Sequence, residues 1–343
     1  MADITQKTQV ISGVAPDRLP IAELLAAGQP AILKGVARDW PLVRRGLESP
    51  EQAISYLKQF CGPKPVTVFR GPPAIAGRFF YNDQITGFNF ESQRVPLGET
   101  LDGLQAQLGE HQGPAFYVGS TDVDIYLPGL RAANDLRLDG PMFENNRPLM
   151  SIWIGNRTVA TAHFDMTHNL ACCMVGRRRF TLFPPEQVHN LYPGPLEPTP
   201  GGQVISMVDF AAPDFERYPR FRDALAAAQV AEIEPGDVLF YPAMWWHHVQ
   251  ALDSFNTMIN YWWTTVPMFM DSPLTTLMHG LLSLRDRPLP EKSAWRELFE
   301  YYVFGRPERA GEHLPAHARG NLGPMDDAKA RRLRAVLLKR LNR

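Results

Sequence analysis

The chain has 343 residues and a formal net charge of -1, with 45% hydrophobic and 21% charged residues. A chain of this length and composition can bury a full core, as one large domain or two ordinary ones. The nearly balanced charge provides no global field that would recruit nucleic acid, and no apolar run reaches the roughly 18 residues that span a bilayer. We therefore expect no membrane among its partners, and the composition gives no argument for nucleic acid, although it does not exclude a local basic patch.

The cysteines and the N-terminus indicate the compartment. The first ten residues, MADITQKTQV, are polar and lack the apolar stretch of a secretory signal. Cys61, Cys172 and Cys173 are odd in number and include an adjacent pair, which is a poor disulfide framework. We therefore expect a reducing, cytoplasmic location. Cys172 and Cys173 lack the spacing of a zinc site and are interpreted as buried strand residues.

The first region, residues 1–113, mixes short helices with strands and is interpreted as an α/β extension. Helical periodicity, β-branched runs and turn residues predict its elements. These are a helix over residues 21–27 closed by Gly28, a strand over 31–34, a helix over 50–60 and a strand over 65–69.

The second region, residues 114–270, is rich in short β segments separated by glycine and proline. In one of these, TVATAHFD, His163 and Asp165 are two positions apart, so both side chains lie on the same face of a strand. An imidazole and a carboxylate side by side can take two adjacent positions on a metal. This pattern alone is weak evidence, because a strand histidine is usually a hydrogen-bonded core or surface residue.

A second motif lies later in the same region. From Gly236 the chain reads GDVLFYPAMWWH, which predicts a turn at Gly236, a strand over residues 238–241 that ends at Pro242, and a new strand beginning at His247. This spacing resembles the second conserved motif of the cupin fold, which implies that His247, and not His248, binds the metal. Two histidines and one carboxylate form the facial triad of non-haem iron(II) oxygenases, which leaves half the coordination sphere open. The two motifs together are much more specific than either alone.

The third region, residues 271–343, returns to helical periodicity. A helix is predicted over 326–341, with acidic residues at its start, basic residues at its end and an apolar stripe. Its seven basic residues from Lys329 onward could be a nucleic-acid patch or the solvated face of a packing or dimerising helix. We favour the second interpretation and expect a homodimer through the C-terminal helices.

The spacing of the two motifs resembles that of the cupin, or double-stranded β-helix, fold, which also places a polar residue and a glycine at the offsets of Asn169 and Gly176. From about Pro114 to Trp263 the chain further resembles the JmjC hydroxylases, most of all the asparaginyl-hydroxylase branch that inhibits hypoxia-inducible factor. The resemblance is carried by TAHFDMTHNL, GRRRFTLFPPEQVHNLYPGP, VDFAAPDFERYPRF and EPGDVLFYPAMWWHHV followed by NYWW. It implies a mainly β protein with a double-stranded β-helix core at residues 114–270, using Fe(II), 2-oxoglutarate and O2.

The resemblance also implies the site residues. The metal ligands, which form the catalytic centre, would be His163, Asp165 and His247. The residues that bind 2-oxoglutarate would be Tyr117, Asn169, Arg178, Asn260 and Trp262.

Arg178 has independent support, because it shares a strand face with Phe180 and Leu182, and an arginine on an apolar face needs an anionic partner. Arg177 and Arg179 are interpreted as a charged hairpin tip. The family often has a threonine that touches 2-oxoglutarate, and Thr161 is displaced from that position by one residue, so its contact stays open.

Four further residues are expected to have structural roles and not to bind the metal. His168 is expected to be a loop histidine, and His248 to face away from the metal. Trp245 and Trp246 are expected to pack in the core.

The expected function is hydroxylation of an unactivated C–H bond in a protein side chain or a small molecule. Hydroxylation is favoured over demethylation because the resemblance is closest to a hydroxylase. Two alternatives remain, a non-oxidative metal-dependent cupin enzyme and a non-catalytic JmjC-like interaction module.

Overall fold

The computed structural model describes residues 4–110, 112–144 and 146–342. The chain divides into two compact units, Met1–Thr264 and Thr265–Arg343. The described strands are β1 Gln9–Ile11, β2 Ala31–Leu33, β3 Val66–Gly71, β4 Arg78–Phe79, β5 Glu91–Val95, β6 Ala115–Asp122, β7 Leu149–Gly155, β8 Val159–Phe164, β9 His168–Val175, β10 Arg178–Phe183, β11 Gln229–Ile233, β12 Val238–Tyr241, β13 Trp246–Ala251 and β14 Asn256–Trp263. The described α-helices are α1 Ile21–Ala27, α2 Pro41–Glu48, α3 Pro50–Lys58, α4 Leu97–Gln105, α5 Val123–Tyr126, α6 Pro141–Glu144, α7 Phe221–Ala227, α8 Pro273–Ser283, α9 Leu289–Phe299 and α10 Asp327–Leu341.

The strands of the first unit form two sheets. The larger has the order β1-β2-β12-β9-β14-β7-β6-β3-β5, and the smaller has the order β11-β10-β13-β8-β4. Apolar side chains of both sheets meet in one buried cluster, so the sheets pack face to face as in a jelly roll. From the larger sheet this cluster takes Ala171, Cys173, Leu239 and Met258, and from the smaller sheet Phe180, Leu182, Ala231 and Val249. The expected double-stranded β-helix core is confirmed.

The predicted N-terminal elements are confirmed, and they extend the larger sheet. Helix α1 ends at Gly28, whose φ of 60° is left-handed and suits a residue without a side chain. Strand β2 pairs with β12, and β3 pairs with β6. Helices α1 to α4 pack their apolar side chains on the outer face of this sheet, against residues such as Leu170 and Cys172. The three-region division of the sequence stays a prediction.

The turn before β12 is built around a buried carboxylate. The side chain of Asp237 accepts hydrogen bonds from the backbone N–H groups of Gly35 and Glu234 and from the Lys34 ammonium. These bonds tie the start of β12 to the end of β2, which explains why an aspartate follows the glycine of the second motif.

A third apolar cluster covers the outer face of the smaller sheet. It consists of Phe183, Trp246 and residues of the β10–β11 connection and α7, including Phe210 and Phe221. Trp245 and Trp246 are both buried, as expected for packing residues. Strand β13 begins at Trp246, one residue earlier than predicted, because Trp246 already pairs with Phe164 and Phe183.

The second unit is helical. Helix α9 continues into a π-helical turn over Glu300–Phe304. The predicted C-terminal helix is confirmed as α10, and the Asp326 side chain caps it by accepting from the Lys329 N–H. Within the described ranges of the chain, no helix has the length and apolar character needed to cross a membrane.

Candidate metal centre

Strand pairing brings the three predicted ligands together. In the antiparallel pairing of β8 with β13, His163 lies directly opposite His247, and their ring centroids are 4.2 Å apart. Asp165 follows β8 by one residue, and its Oδ2 lies 3.7 Å from His247 Nε2. One ligand atom from each of the three residues fits within 4.8 Å of the others. The arrangement suits a cation held by two nitrogens and one oxygen.

The hydrogen bonds of the two imidazoles select the tautomer that a metal needs. His163 Nδ1 lies 2.8 Å from the Thr161 carbonyl oxygen, and His247 Nδ1 lies 3.0 Å from the Trp245 carbonyl oxygen. Because a carbonyl only accepts, each Nδ1 carries the proton, and each Nε2 keeps a lone pair for a metal.

Burial keeps the second imidazole neutral. Loss of solvation and the adjacent His163 together lower the pKa of His247 to about 4, although Asp165 and the hydrogen bond to the Trp245 carbonyl oppose the shift. A neutral ring at pH 7 can coordinate a metal without first losing a proton.

The two sequence motifs are also joined through their backbones. The Met244 N–H donates to the Asp165 carbonyl oxygen at 2.8 Å, and the Ala243 N–H donates to His168 Nδ1 at 3.2 Å. The expectation of a loop histidine is wrong, because His168 is the first residue of β9, where it pairs with Trp263. These bonds hold the turn before β13 against the segment that carries Asp165.

A short hydrogen-bonded chain orients the carboxylate of Asp165. Asn169 Nδ2 donates to Asp165 Oδ2 at 3.3 Å, and Asn260 Nδ2 lies 3.5 Å from Asn169 Oδ1. The Trp153 indole N–H donates to Asn260 Oδ1 at 2.7 Å. Both asparagines are buried and lie on neighbouring strands, β9 and β14. Both asparagines therefore help to position the carboxylate of Asp165.

His248 faces away from the metal ligands. Its ring stacks on Phe210 at 4.4 Å, on the outer side of the smaller sheet, and it is buried. Burial, together with the Arg78 guanidinium, lowers the pKa of His248 to about 3. It packs as a neutral ring.

Arg178 is a buried cation without a protein partner for two of its nitrogens. Its side chain is 2% exposed, and neither Nε nor Nη2 has a hydrogen-bond partner among the described residues. Burial lowers its pKa from the ordinary arginine value. Arg177 and Arg179 instead form surface ion pairs with Asp253 and Glu232. An unpaired buried guanidinium is costly, so Arg178 fits an anionic ligand.

The other predicted cosubstrate residues lie around the same interior. Burial raises the pKa of Tyr117 to about 12, while the charge of Arg178 opposes this shift and that of Asp165 adds to it. The Thr161 hydroxyl and the Trp262 indole N–H are buried and have no partner among the described residues. Trp262 pairs with Asn169 across β14 and β9, and its ring contacts Trp153 edge to face.

A cavity of about 280 Å³ opens beside His163. Its lining contains the predicted Tyr117 together with Thr161, and several residues that sequence reasoning did not identify. These are Phe69, Phe79, Trp153, Gln203 and the glycine pair Gly201–Gly202. Strand alternation could have indicated Trp153, because Ile152 and Ile154 are fully buried on the opposite face of β7. The other residues come from distant segments.

Comparison with known proteins shows the family. The model of the cupin-like domain matches residues 16–269, and the chain belongs to this family. The chain is 31% identical over 315 residues to lysine-specific demethylase JMJ31 of Arabidopsis thaliana, which covers 82% of this chain and 54% of that protein. It is 24% identical over 247 residues to JmjC domain-containing protein D of Dictyostelium discoideum, covering 67% of this chain and 50% of the relative.

A shorter similarity links the chain to HSPB1-associated protein 1 of Homo sapiens, at 39% identity over 114 residues, which are 33% of this chain and 23% of that protein. The chain thus spans about half or less of the length of these relatives.

Proposed function

We propose that the protein is an Fe(II)- and 2-oxoglutarate-dependent oxygenase that hydroxylates an unactivated C–H bond. The observation that carries the proposal is the buried guanidinium of Arg178, with two unpartnered nitrogens, on the strand beside the one that holds His247. The inner-face positions of β10 are Arg178, Phe180 and Leu182, and Leu182 pairs with His247. A dicarboxylate could therefore reach Arg178 with one end and the metal with the other.

The residues present fit both groups. Two Nε2 atoms and one carboxylate oxygen form a facial donor set for Fe(II). Arg178 offers a planar fork that matches a carboxylate, and the Tyr117 hydroxyl, which stays protonated at pH 7, can donate to the same carboxylate. Thr161 supplies a further unpartnered hydroxyl in the cavity. When bound, iron and 2-oxoglutarate supply the activation of O2.

The contribution of the protein is to bind and orient. His163, Asp165 and His247 would hold the cation, and the Asn169–Asn260–Trp153 chain fixes the direction of the Asp165 carboxylate. Phe69, Phe79 and Trp153 give the cavity beside His163 an apolar, aromatic lining.

The cavity lining supports hydroxylation of an uncharged group over demethylation. Among the described residues that line it, none is an aspartate, glutamate, lysine or arginine. A methylated ammonium would need a carboxylate or open aromatic faces to offset its desolvation. Phe79 and Tyr117 stack on one another at 5.6 Å, so those two faces are already used.

The test is succinate formation from 2-oxoglutarate with added Fe(II) and no substrate. Wild type should form succinate, and Asp165→Ala should form at least about a hundredfold less, because one of three ligands is lost. Asp83→Ala, which alters an exposed aspartate, should match wild type. Failure of the wild type to consume 2-oxoglutarate would exclude the oxygenase and favour a non-oxidative cupin enzyme or an interaction module.

A second assay distinguishes hydroxylation from demethylation. Peptides with methylated lysine and peptides with uncharged side chains are offered in parallel, and formaldehyde and peptide mass are measured. We expect a mass gain of one oxygen atom without formaldehyde. Release of formaldehyde from a methylated lysine would overturn the assignment as a hydroxylase, but it would still support the assignment as an oxygenase.

The three cysteines are all free thiols. This supports the cytoplasmic compartment that we propose for the protein.

A further inference from the structure

An open groove on the first unit is distinct from the candidate metal centre. It has a volume of about 780 Å³, and among the described residues it shares no lining residue with the cavity beside His163. Two stretches that the metal centre does not use, FPPEQVHNLYPGP and DFERYPRF, supply most of its lining. Its apolar side chains are those of Ile85, Val188, Pro193, Pro195 and Met207.

Two tyrosines of the lining are held in fixed positions. The rings of Tyr192 and Tyr218 meet edge to face at 5.0 Å, and the Tyr192 hydroxyl accepts a hydrogen bond from the Arg220 backbone N–H at 3.0 Å. Tyr192 has a φ of 49°, a left-handed conformation that is unfavourable for a bulky side chain. Leu191, the residue before it, is fully buried. The surrounding contacts therefore hold the Tyr192 ring in the groove at a cost to the backbone.

Two arginines of the lining are held by neutral groups. The Arg220 guanidinium lies 4.4 Å from the centroid of the Tyr192 ring, and it donates to the His189 carbonyl oxygen at 3.3 and 3.4 Å. The Arg217 guanidinium lies 5.2 Å from the centroid of the Tyr218 ring. Aromatic faces and a carbonyl oxygen orient a guanidinium without cancelling its charge.

Carboxylates do not neutralise these two arginines. Among the described residues that line the groove, none is an aspartate or a glutamate. Within the described part of the chain neither Arg217 nor Arg220 forms an ion pair, whereas Arg177 and Arg179 do. The Asp214 carboxylate instead accepts the backbone N–H groups at positions 216 and 217, so it stabilises a turn. The groove therefore combines an apolar lining with two cations that have no counter-ion.

The groove lies beside the metal centre in the fold. The Gly194 N–H, on the groove side, donates to the Ile205 carbonyl oxygen at 2.8 Å. Ile205 lines the cavity and forms a β-bridge with His163. A molecule bound in the groove is therefore adjacent to the segment that lines the cavity.

We propose that this groove binds an acidic, extended segment of a partner protein. Successive side chains of an extended segment point to opposite sides, so apolar ones can enter the groove while the acidic ones between them reach its arginines. Arginines that are already oriented lose little freedom when they bind a carboxylate. A nucleic acid fits less well, because its charged backbone gains nothing from the apolar lining, and each tyrosine has one face covered by an arginine.

The test selects ligands from a phage-displayed library of random peptides, about ten residues long, on the immobilised full chain without metal or 2-oxoglutarate. Enriched peptides should carry acidic residues separated by apolar ones, and fluorescence anisotropy then measures their dissociation constants. Arg217→Glu combined with Arg220→Glu should weaken binding at least about tenfold, because two attractive contacts become repulsive. The matched control is Arg18→Glu with Arg38→Glu, the same change at two exposed arginines outside the groove, which should alter binding less than about twofold.

A second position keeps the test decisive if the arginine variant folds poorly. Val188 lines the groove and is 45% exposed, so Val188→Glu and Val188→Lys place opposite charges at one accessible point. The glutamate variant should bind the enriched peptides at least about fivefold more weakly than the lysine variant.

Three results would rule the proposal out. These are a selection that enriches no acidic peptide, equal affinities of the two Val188 variants, and binding of an oligodeoxythymidine through Arg217 and Arg220 in place of acidic peptides. Because binding is measured without turnover, its outcome is independent of the succinate assay.

Discussion

At the residue scale, the candidate site contains buried side chains with polar atoms that have no hydrogen-bond partner among the described residues. Arg178 is buried with two unpartnered nitrogens, whereas its neighbours Arg177 and Arg179 have carboxylate partners at the surface. The alternation of a strand separates them, because adjacent residues point to opposite faces. The sequence indicated this difference, since Phe180 and Leu182 identify the apolar face of the strand.

Arg178→Met should weaken binding of 2-oxoglutarate about 10- to 100-fold, because hydrogen bonds to charged groups contribute roughly 1.5–3 kcal/mol. Isothermal titration with Mn(II) in place of Fe(II) measures the dissociation constant. Arg179→Met removes a surface ion pair instead and should change it less than about twofold. Equal dissociation constants for the two variants would contradict the role of Arg178.

At the element scale, glycines form the turns that lead into β10, which pairs with the ligand-bearing β13, and into β12, which precedes β13 in the chain. Gly176 has a φ of 70° at the turn from β9 to β10, and Gly236 has a φ of 98° at the turn before β12. A Cβ at Gly236 would lie 2.8 Å from the Cα of Arg38, which is backbone and cannot easily move. The glycines of both motifs are therefore explained by backbone conformation, with no part in binding the metal.

Gly236→Ala should lower the free energy of unfolding by at least about 1–3 kcal/mol, because alanine meets both an unfavourable φ and a backbone contact. Urea unfolding followed by circular dichroism measures the change. Gly98→Ala is the matched control, since Gly98 lies in α4 and a Cβ added there would meet no atom within 4 Å. It should be neutral or stabilising by about 0.5–1 kcal/mol. Equal loss in both variants would refute the backbone argument.

At the scale of the whole molecule, the metal ligands come from β8 and β13 and from the residue after β8, so an ion would join segments that are distant in the chain. A ligand that binds only the folded state stabilises it by about 2.7 kcal/mol at a hundred times its dissociation constant. We expect saturating Mn(II) to raise the thermal midpoint of wild type by several degrees.

Differential scanning calorimetry measures this shift. Asp165→Ala should show little or none of it, because two imidazoles alone are a weak site. Asp83→Ala should shift as wild type does. A similar rise in Asp165→Ala would place the ion elsewhere on the molecule.

The sequence by itself determined the mainly β fold, the cupin-like motifs and the candidate metal ligands. These depend on short-range features of the sequence. Strand alternation places the side chains of His163 and Asp165 on the same side, and a turn, a strand and a proline in succession precede His247. The tertiary structure alone decided the cavity lining, because Phe69, Phe79 and Gln203 reach it from separate segments with no shared local pattern. It also decided which apolar stripes are buried, since α3 and α8 both carry apolar side chains, yet α3 packs in the core and α8 is exposed. Periodicity shows that a face is apolar, but only the packed chain shows what covers it.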